Sequence, residues 1–297
     1  MKPKVRFIIN PISGGKKKDH IPETIRKACL EFNLEADIFL CNSVTETKEK
    51  TKEAVKLNFQ AIIAVGGDGT INLIGSELIN TQVALGIIPM GSGNGLARSL
   101  RIPFNIKHAI KSICDFNMQS IDTGEVNGIP FINLSGIGFD AHVAGIFHNS
   151  QKRGLMSYAK IILREFYRFK QEPLEIQLDG NTIHTNAFLL AVCNGPQFGN
   201  NAIIAPLASL RDGIFHITIL KRLKWFDVPR LAYRLFKGTI HFDSNTECFS
   251  AKSLTIVRSK NGLMNIDGEP ILLSNNLHIE MRPLSLNVII PSLYLQL

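Results

Sequence analysis

Three glycine-rich segments and one acidic triplet carry the chemistry this sequence can offer. The segments are Asn10-Pro-Ile-Ser-Gly-Gly15, Gly66-Gly-Asp-Gly-Thr70 and Gly91-Ser-Gly-Asn-Gly95, each directly after a hydrophobic stretch of strand length. Glycine lets a backbone approach a phosphate closely, and a helix that follows presents unpaired N–H groups to it. Any one segment reads equally well as a tight turn; three on one sheet edge favour phosphate binding. Asp68 stands between glycines, where nothing apolar can cover it. A carboxylate beside phosphates is repulsive unless a cation intervenes, and Mg²⁺ takes one or two carboxylates plus phosphate oxygens. A cap on a helix starting near Thr70 is compatible with that role. In Asp267-Gly-Glu269 the two acids face one side of an extended chain. Taken alone, Asp267-Gly268 reads as a hairpin turn, and Asp179-Gly180 is an internal control with no function assigned.

Familiar nucleotide templates do not fit. There is no G-x-x-x-x-G-K-[ST], which excludes a P-loop, and Gly91-Ser-Gly-Asn-Gly-Leu96 lacks the third glycine of a dinucleotide fingerprint. Five scattered cysteines without C-x-x-C spacing indicate neither a zinc site nor a disulfide framework. The net charge of +8 favours anionic partners: phosphates, an anionic membrane surface or nucleic acid. One Trp, four Tyr and no aromatic-plus-basic RNA motif put nucleic acid last. The apolar runs are far too short to cross a bilayer, and Met1–Asn10 enters a strand pattern without a signal-peptide layout, so the expected location is cytoplasmic.

The elements that must position these residues alternate in the first third. Strands are expected at 5–10, 36–40, 61–65 and 83–88, and helices at 22–32, 43–57, 71–78 and 96–100, which is the pattern of a parallel sheet with helices on its faces. Ser43-Val-Thr-Glu46 has capping-box spacing. After about Ile121 the period changes. Asn127-Gly128 is a strong hairpin signal, further strands follow to about 290, and two helices interrupt them near 157–169 and 228–236. Asp227 is the expected N-cap of the second helix, with Pro229 in its first turn. The fold class is thus an α/β N-terminal domain followed by a mainly antiparallel β domain, with a boundary near 121.

Asn-Pro-x-Ser-Gly-Gly, Gly-Gly-Asp-Gly-Thr and Pro-x-Gly-Ser-Gly-Asn, in this order and spacing, resemble the diacylglycerol kinase catalytic family, which includes soluble bacterial lipid kinases, sphingosine kinases and ceramide kinases. Ile121-Asp-Thr-Gly124, the stretch Asn133–Asp140, Asp212-Gly213 and Asp267-Gly-Glu269 extend the likeness over nearly the whole chain. The resemblance implies a nucleotide-binding α/β domain at 1–121, completed by 284–297, and a β-sandwich lipid-substrate domain at 122–283, with the active site in the cleft between them. It implies ATP as phosphoryl donor, Mg²⁺ and a lipid hydroxyl as acceptor. Asp267 would be the general base, with Glu269 orienting it or assisting metal binding. Asp68, helped by Asp122, would hold Mg²⁺, and Asp212 would take a second, structural Mg²⁺. Asn10, Ser13, Gly14, Gly15, Gly66, Gly67, Gly69, Thr70, Gly91, Ser92, Gly93 and Asn94 would surround the nucleotide.

Leu96-Ala97 after Gly95 resembles the sphingosine-kinase version of the third turn and keeps a sphingoid base as a competing acceptor. An NAD kinase, which shares the Asp68 turn, and a non-catalytic nucleotide- or lipid-binding regulator are the other readings. The expected partner is a lipid at an anionic membrane surface, met peripherally at the inner face. Two basic faces suit it: Lys160, Arg164, Arg168 and Lys170 opposite Leu155, Tyr158, Ile162, Phe166 and Phe169, and Arg230, Arg234 and Lys237 against Val228, Leu231 and Leu235. An amphipathic helix packed in the fold, with its basic face merely solvated, is the competing reading. A monomer and a homodimer are both left open.

Overall fold

Strands that are apolar at every position have to be covered on both faces, and Ala61–Gly66 and Ala84–Pro89 are buried throughout. The computed structural model describes residues 3–11, 20–148, 150, 155–221 and 223–292, except the side chains of 155, 157 and 158. Two units divide the chain: unit 1 is Met1–Ile121 with Leu284–Leu297, and unit 2 is Asp122–Pro283.

In unit 1, β1 (Lys4–Ile9), α1 (Ile21–Glu31), β2 (Glu35–Leu40), α2 (Val44–Lys56), β3 (Ala61–Gly66), α3 (Asp68–Leu78) and β4 (Ala84–Pro89) alternate, followed by α4 (Gly95–Ser99) and α5 (Ile106–Cys114). The strands pair in parallel in the order β2-β1-β3-β4. Ile25, Ala28 and Cys29 of α1, Ile71, Ile74 and Leu78 of α3, and Ile110 and Ile113 of α5 are buried. Ser43 Oγ accepts from Glu46 N at 3.1 Å, and Glu46 reaches back to Asn42 N at 2.8 Å, so the capping box closes one residue earlier than its usual form. Asn33, Asn58 and Asn80, at φ 55–59°, take the chain out of α1, α2 and α3. The sequence reading has no element at 106–114; α5 is there, capped by Asn105 Oδ1 on His108 N at 3.2 Å.

Unit 2 contains β5 (Met118–Val126), which begins in unit 1, β6 (Ile129–Phe131), β7 (Leu134–Gly138), α6 (Phe139–His148), α7 (Leu155–Phe166), β8 (Glu172–Leu178), β9 (Asn181–Ala187), β10 (Leu189–Cys193), β11 (Phe215–Leu220), α8 (Val228–Lys237), β12 (Thr246–Ala251), β13 (Ser253–Arg258), β14 (Gly262–Ile266) and β15 (Glu269–Leu273). The last strand, β16 (Asn276–Ile289), pairs antiparallel with β13 through its first half, and Val288 of its second half lies beside Leu85 of β4 in unit 1. One antiparallel sheet runs β12-β11-β10-β7-β14-β15. Facing it, β9, β8, β13 and the first half of β16 make a second antiparallel layer, and Phe131, Leu190, Ile217, Ile256, Met264 and Ile279 fill the sandwich between. A second core on the other face of the first sheet joins Phe139, Ile161, Phe188, Ala191 and Leu231, which seats α6, α7 and α8.

Candidate active site

The three glycine turns of unit 1 follow β1, β3 and β4, so their described parts lie at the carboxyl ends of three adjacent parallel strands, where open α/β sheets bind ligands. Ser13, Gly14 and Gly15 lie outside the described residues. Asn10 Nδ2 donates to Thr70 Oγ1 at 3.1 Å, tying the first turn to the second. Gly67 and Gly91 approach backbone to backbone: a Cβ on Gly91 would stand 2.6 Å from Gly67 Cα, so this contact admits glycine alone. Asn94, at φ 52°, closes the third turn on itself, its Oδ1 accepting from Gly91 N (3.0 Å) and its Nδ2 donating to Gly91 O (2.7 Å).

Asp68 holds this assembly together. Its Oδ2 accepts from Asn94 N at 2.8 Å and its Oδ1 from Gly95 N at 2.7 Å. It therefore caps α4, across the turn. Asn94, expected to reach the nucleotide with its side chain, spends both amide atoms on Gly91. Gly66, Gly67, Gly69, Thr70, Gly91, Ser92 and Gly93 remain beside it as the candidate cradle, and α3 contributes N-terminal N–H groups that have no intrahelical acceptor.

The acidic triplet of unit 2 forms a two-residue hairpin between β14 and β15, with Ile266 opposite Glu269. Asp267 and Gly268 both have positive φ, 48° and 94°, as the favoured hairpin turn demands. The Asp267 carboxylate is 7% exposed. It accepts from Ile132 N (2.6 Å), Asn133 N (2.9 Å) and Leu134 N (2.9 Å), while its own N–H donates to Leu134 O (3.0 Å). The Asp267 carboxylate thereby anchors the loop between β6 and β7. Glu269 is different: its side chain is half exposed, and its Oε2 lies 3.3 Å from His148 Nδ1.

Asp140 sits behind this hairpin. Its Oδ2 accepts from Asn265 Nδ2 (3.3 Å), and Asn265 Oδ1 accepts from Gly268 N (2.8 Å). Burial pushes the Asp140 carboxyl up to about 7, offset in part by hydrogen bonds from Ala141 N–H and the Asn265 amide. Asp122 is 1% exposed and accepts from Gly213 N at 2.8 Å, tying down the turn that carries Asp212. Asp212 accepts from Ile214 N at 3.2 Å and faces His216 Nε2 at 3.0 Å.

The diacylglycerol kinase catalytic domain matches residues 4–126, and the YegS C-terminal NAD kinase beta sandwich-like domain matches residues 134–290. The chain belongs to the diacylglycerol kinase family. A diacylglycerol kinase of Bacillus subtilis (strain 168) is 29% identical over 272 residues, covering 90% of this chain and 89% of that one. A probable lipid kinase YegS-like of Pseudomonas savastanoi pv. phaseolicola (strain 1448A / Race 6) is 30% identical over 264 residues, covering 87% and 85%. A crystal structure of a diacylglycerol kinase from Bacillus anthracis str. Sterne shares the fold, with a TM-score of 0.76 at 21% identity over 98% of each chain. The chain is accordingly a kinase with an alcohol acceptor.

Two further expectations meet this kinase's geometry. Among the described residues no helix is long and apolar enough to cross a membrane. One residue of the α7 basic face and two of the α8 face are engaged in ion pairs. On α7, Arg164 pairs with Glu165 at 2.7 Å, and Ile162, Phe166 and Phe169 pack into the helix-side core with Phe139 and Phe188; the side chains of Leu155 and Tyr158 lie outside the described residues. On α8, Arg230 and Arg234 both reach the buried Asp243, at 2.8 and 3.3 Å. Asp227 is the N-cap residue of α8, as expected, but its side chain makes no capping bond to that helix. Its Oδ2 accepts from Lys224 N at 2.9 Å, closing the short turn before the helix, and its Oδ1 pairs with Arg230 at 3.0 Å.

Proposed function

We propose that this kinase transfers the γ-phosphate of ATP to the hydroxyl of a membrane lipid, diacylglycerol first, with Mg²⁺ on the nucleotide phosphates. The observation that carries this reading is the Asp68 clasp, which fastens two glycine turns into one backbone surface at the ends of parallel strands. Such a surface suits a polyphosphate, because N–H groups and glycines meet phosphate oxygens without a side chain in the way.

Asp68 fits a magnesium site in one manner. It is half-buried and both oxygens already accept N–H bonds, so it would hold the ion chiefly through waters, which Mg²⁺ gives up reluctantly. The ion's part would be to neutralise charge on the transferring phosphoryl group. Asp122 contributes to a metal only through whatever its bond to Gly213 leaves over, and a second ion at Asp212 has to displace His216.

Asp267, the general base that the resemblance implies, and Glu269 are the two candidates for the acceptor proton, and we assign it to Glu269. It is exposed enough to reach a hydroxyl, and the His148 imidazole beside it can orient the carboxylate and receive the proton afterwards. Asp267 and Asp140 act through it: the first fixes the hairpin to the 132–134 loop, the second fixes Asn265 and hence Gly268 N.

The test is incubation of the protein with γ-labelled ATP, Mg²⁺ and, in separate reactions, vesicles carrying diacylglycerol, a sphingoid base in mixed micelles, and NAD. Labelled phosphatidic acid is the expected main product. A labelled sphingoid phosphate alone would move the acceptor to the competing lipid class. Labelled NADP alone, or no transfer to any acceptor, would end the lipid-kinase assignment.

A further inference from the structure

The solvent-facing side of α8 is part basic and part aromatic, with Tyr233 and Phe236 exposed beside Arg230 and Lys237. Successive residues advance by about 100° around a helix. Val228, Leu231 and Leu235 make the inner arc, and Leu231 is 6% exposed. Pro229, Tyr233 and Phe236 continue the apolar surface onto the solvent side. The short turns at either end carry further exposed rings: Trp225 and Phe226 precede the helix, and Phe242 follows Gly238, whose φ of 67° turns the chain back. Trp225, Phe226, Tyr233, Phe236 and Phe242 are all 56–71% exposed. Scattered apolar side chains on a surface need no explanation, but five large aromatic ones on one helix and its two flanking turns do.

The charges around this face are ordered too. Arg230 and Arg234 are held by the buried Asp227 and Asp243 and so neutralise them. Lys224 and Lys237 are exposed cations at the two ends, Lys224 lying over the Phe226 ring at 5.5 Å.

We propose that this aromatic face is the surface by which the protein enters the headgroup layer of a bilayer that contains anionic phospholipid. Trp and Tyr concentrate at membrane–water interfaces, where an apolar ring and a polar tip both find a partner. A helix with aromatics on one side and cations beside them lies in that plane, with lysines extending their charge toward lipid phosphates. A second copy of the chain is the poorer occupant, because a symmetric contact would bring Lys224 and Lys237 against their own kind. The proposal supplies a membrane address to the lipid-kinase reading and rests on it only for its purpose; the aromatic face is an independent observation. Apolar insertion holds the protein, and charge guides it.

Trp225 is the only tryptophan in the chain, so intrinsic fluorescence reports on this face directly. Phosphatidylcholine vesicles with phosphatidylglycerol should shift its emission to the blue, and brominated lipids should quench it. The triple variant Phe226→Ser, Phe236→Ser and Phe242→Ser keeps the reporter and alters only exposed positions. It should lower vesicle partitioning by about tenfold or more, since each ring loses apolar contact. Raising the salt should weaken wild-type binding by less than the triple variant does. Unchanged Trp225 emission with vesicles, or equal partitioning of the variant, would overturn the proposal. So would sedimentation showing a lipid-free dimer that the triple variant abolishes. Turnover of a short-chain, water-dispersed diacylglycerol separates the two readings. If wild type and variant phosphorylate it equally while the variant alone fails on vesicles, docking is the property lost. If neither phosphorylates it, the kinase reading fails and the vesicle result still decides this one.

Discussion

Two hairpins of unit 2 have the same backbone and different surroundings. Asp179-Gly180 joins β8 to β9 and Asp267-Gly268 joins β14 to β15, each with two central residues at positive φ, 48° and 78° in the first and 48° and 94° in the second. Asp179 is exposed, whereas Asp267 is buried and receives three backbone N–H groups from a loop more than 130 residues earlier. The turn chemistry of Asp-Gly is therefore common to both, and what singles out the second is the long-range contact. That contact presents Glu269 on a hairpin fixed at both its aspartate and, through Asn265, its glycine.

The largest effect that tests this contrast is catalytic. Glu269→Gln should lower turnover of diacylglycerol by about 10²–10⁴-fold, the range for loss of a general base. Its unfolding free energy should stay within about 0.5 kcal/mol of wild type, because the side chain is half exposed. Kinetics on vesicle-borne substrate together with urea denaturation check both halves. A fully active Glu269→Gln enzyme would return the base assignment to Asp267 or to another residue.

That contrast also shows what the sequence could and could not carry. Local signals were legible: uniformly apolar runs for β3 and β4, Asn127-Gly128 for the β5–β6 hairpin, and glycine turns after three strands. Partners remote in the chain were not. Nothing near Asp68 says that its carboxylate caps a helix 26 residues on, and nothing near Asp267 points to the N–H groups at 132–134. The elements that escaped reading have physical reasons as well. Phe139, Asp140, Ala141, Val143, Ala144 and Gly145 of α6 are all buried, so its burial shows no one-sided helical period. In β15 a proline follows Glu269 and no position is fully buried, so the alternation of a half-buried strand is missing.

The second effect is on the pH dependence of stability, and it probes the support behind the Asp267 hairpin that the Asp179 hairpin lacks. Asp140 has its carboxyl raised by burial from 3.8 to about 7. Below pH 3.8 it is protonated in both folded and unfolded chains and costs nothing. Between pH 4 and 7 the folded state retains a proton that the unfolded state releases, so this group's contribution to stability falls as pH rises. Above 7 the whole cost of burying the charge is present. Asp140→Asn removes this dependence. The wild-type curve should therefore fall relative to the variant by up to about 4 kcal/mol across that interval, the value of a three-unit shift. Urea unfolding of both proteins at closely spaced pH values measures it. Parallel curves would mean that Asp140 is ionised or solvated in the native state.

The smallest effect comes from making one change in both hairpins. Asn suits the first position of this turn at least as well as Asp. Asp179→Asn should therefore leave stability within about 0.5 kcal/mol of wild type, as exposed substitutions do. Asp267→Asn keeps the turn preference and the volume but removes the charge and turns an NH₂ group toward backbone donors that need an acceptor. The expected cost is about 2–3 kcal/mol, the range for hydrogen bonds to a charged group left partly unmade. Because the turn is the same in both, the difference between the two variants isolates the N–H cluster from the hairpin itself. Equal stabilities would show that the three N–H bonds add nothing beyond the turn. The anchor role of Asp267 would then have to be given up, even if its variant were inactive.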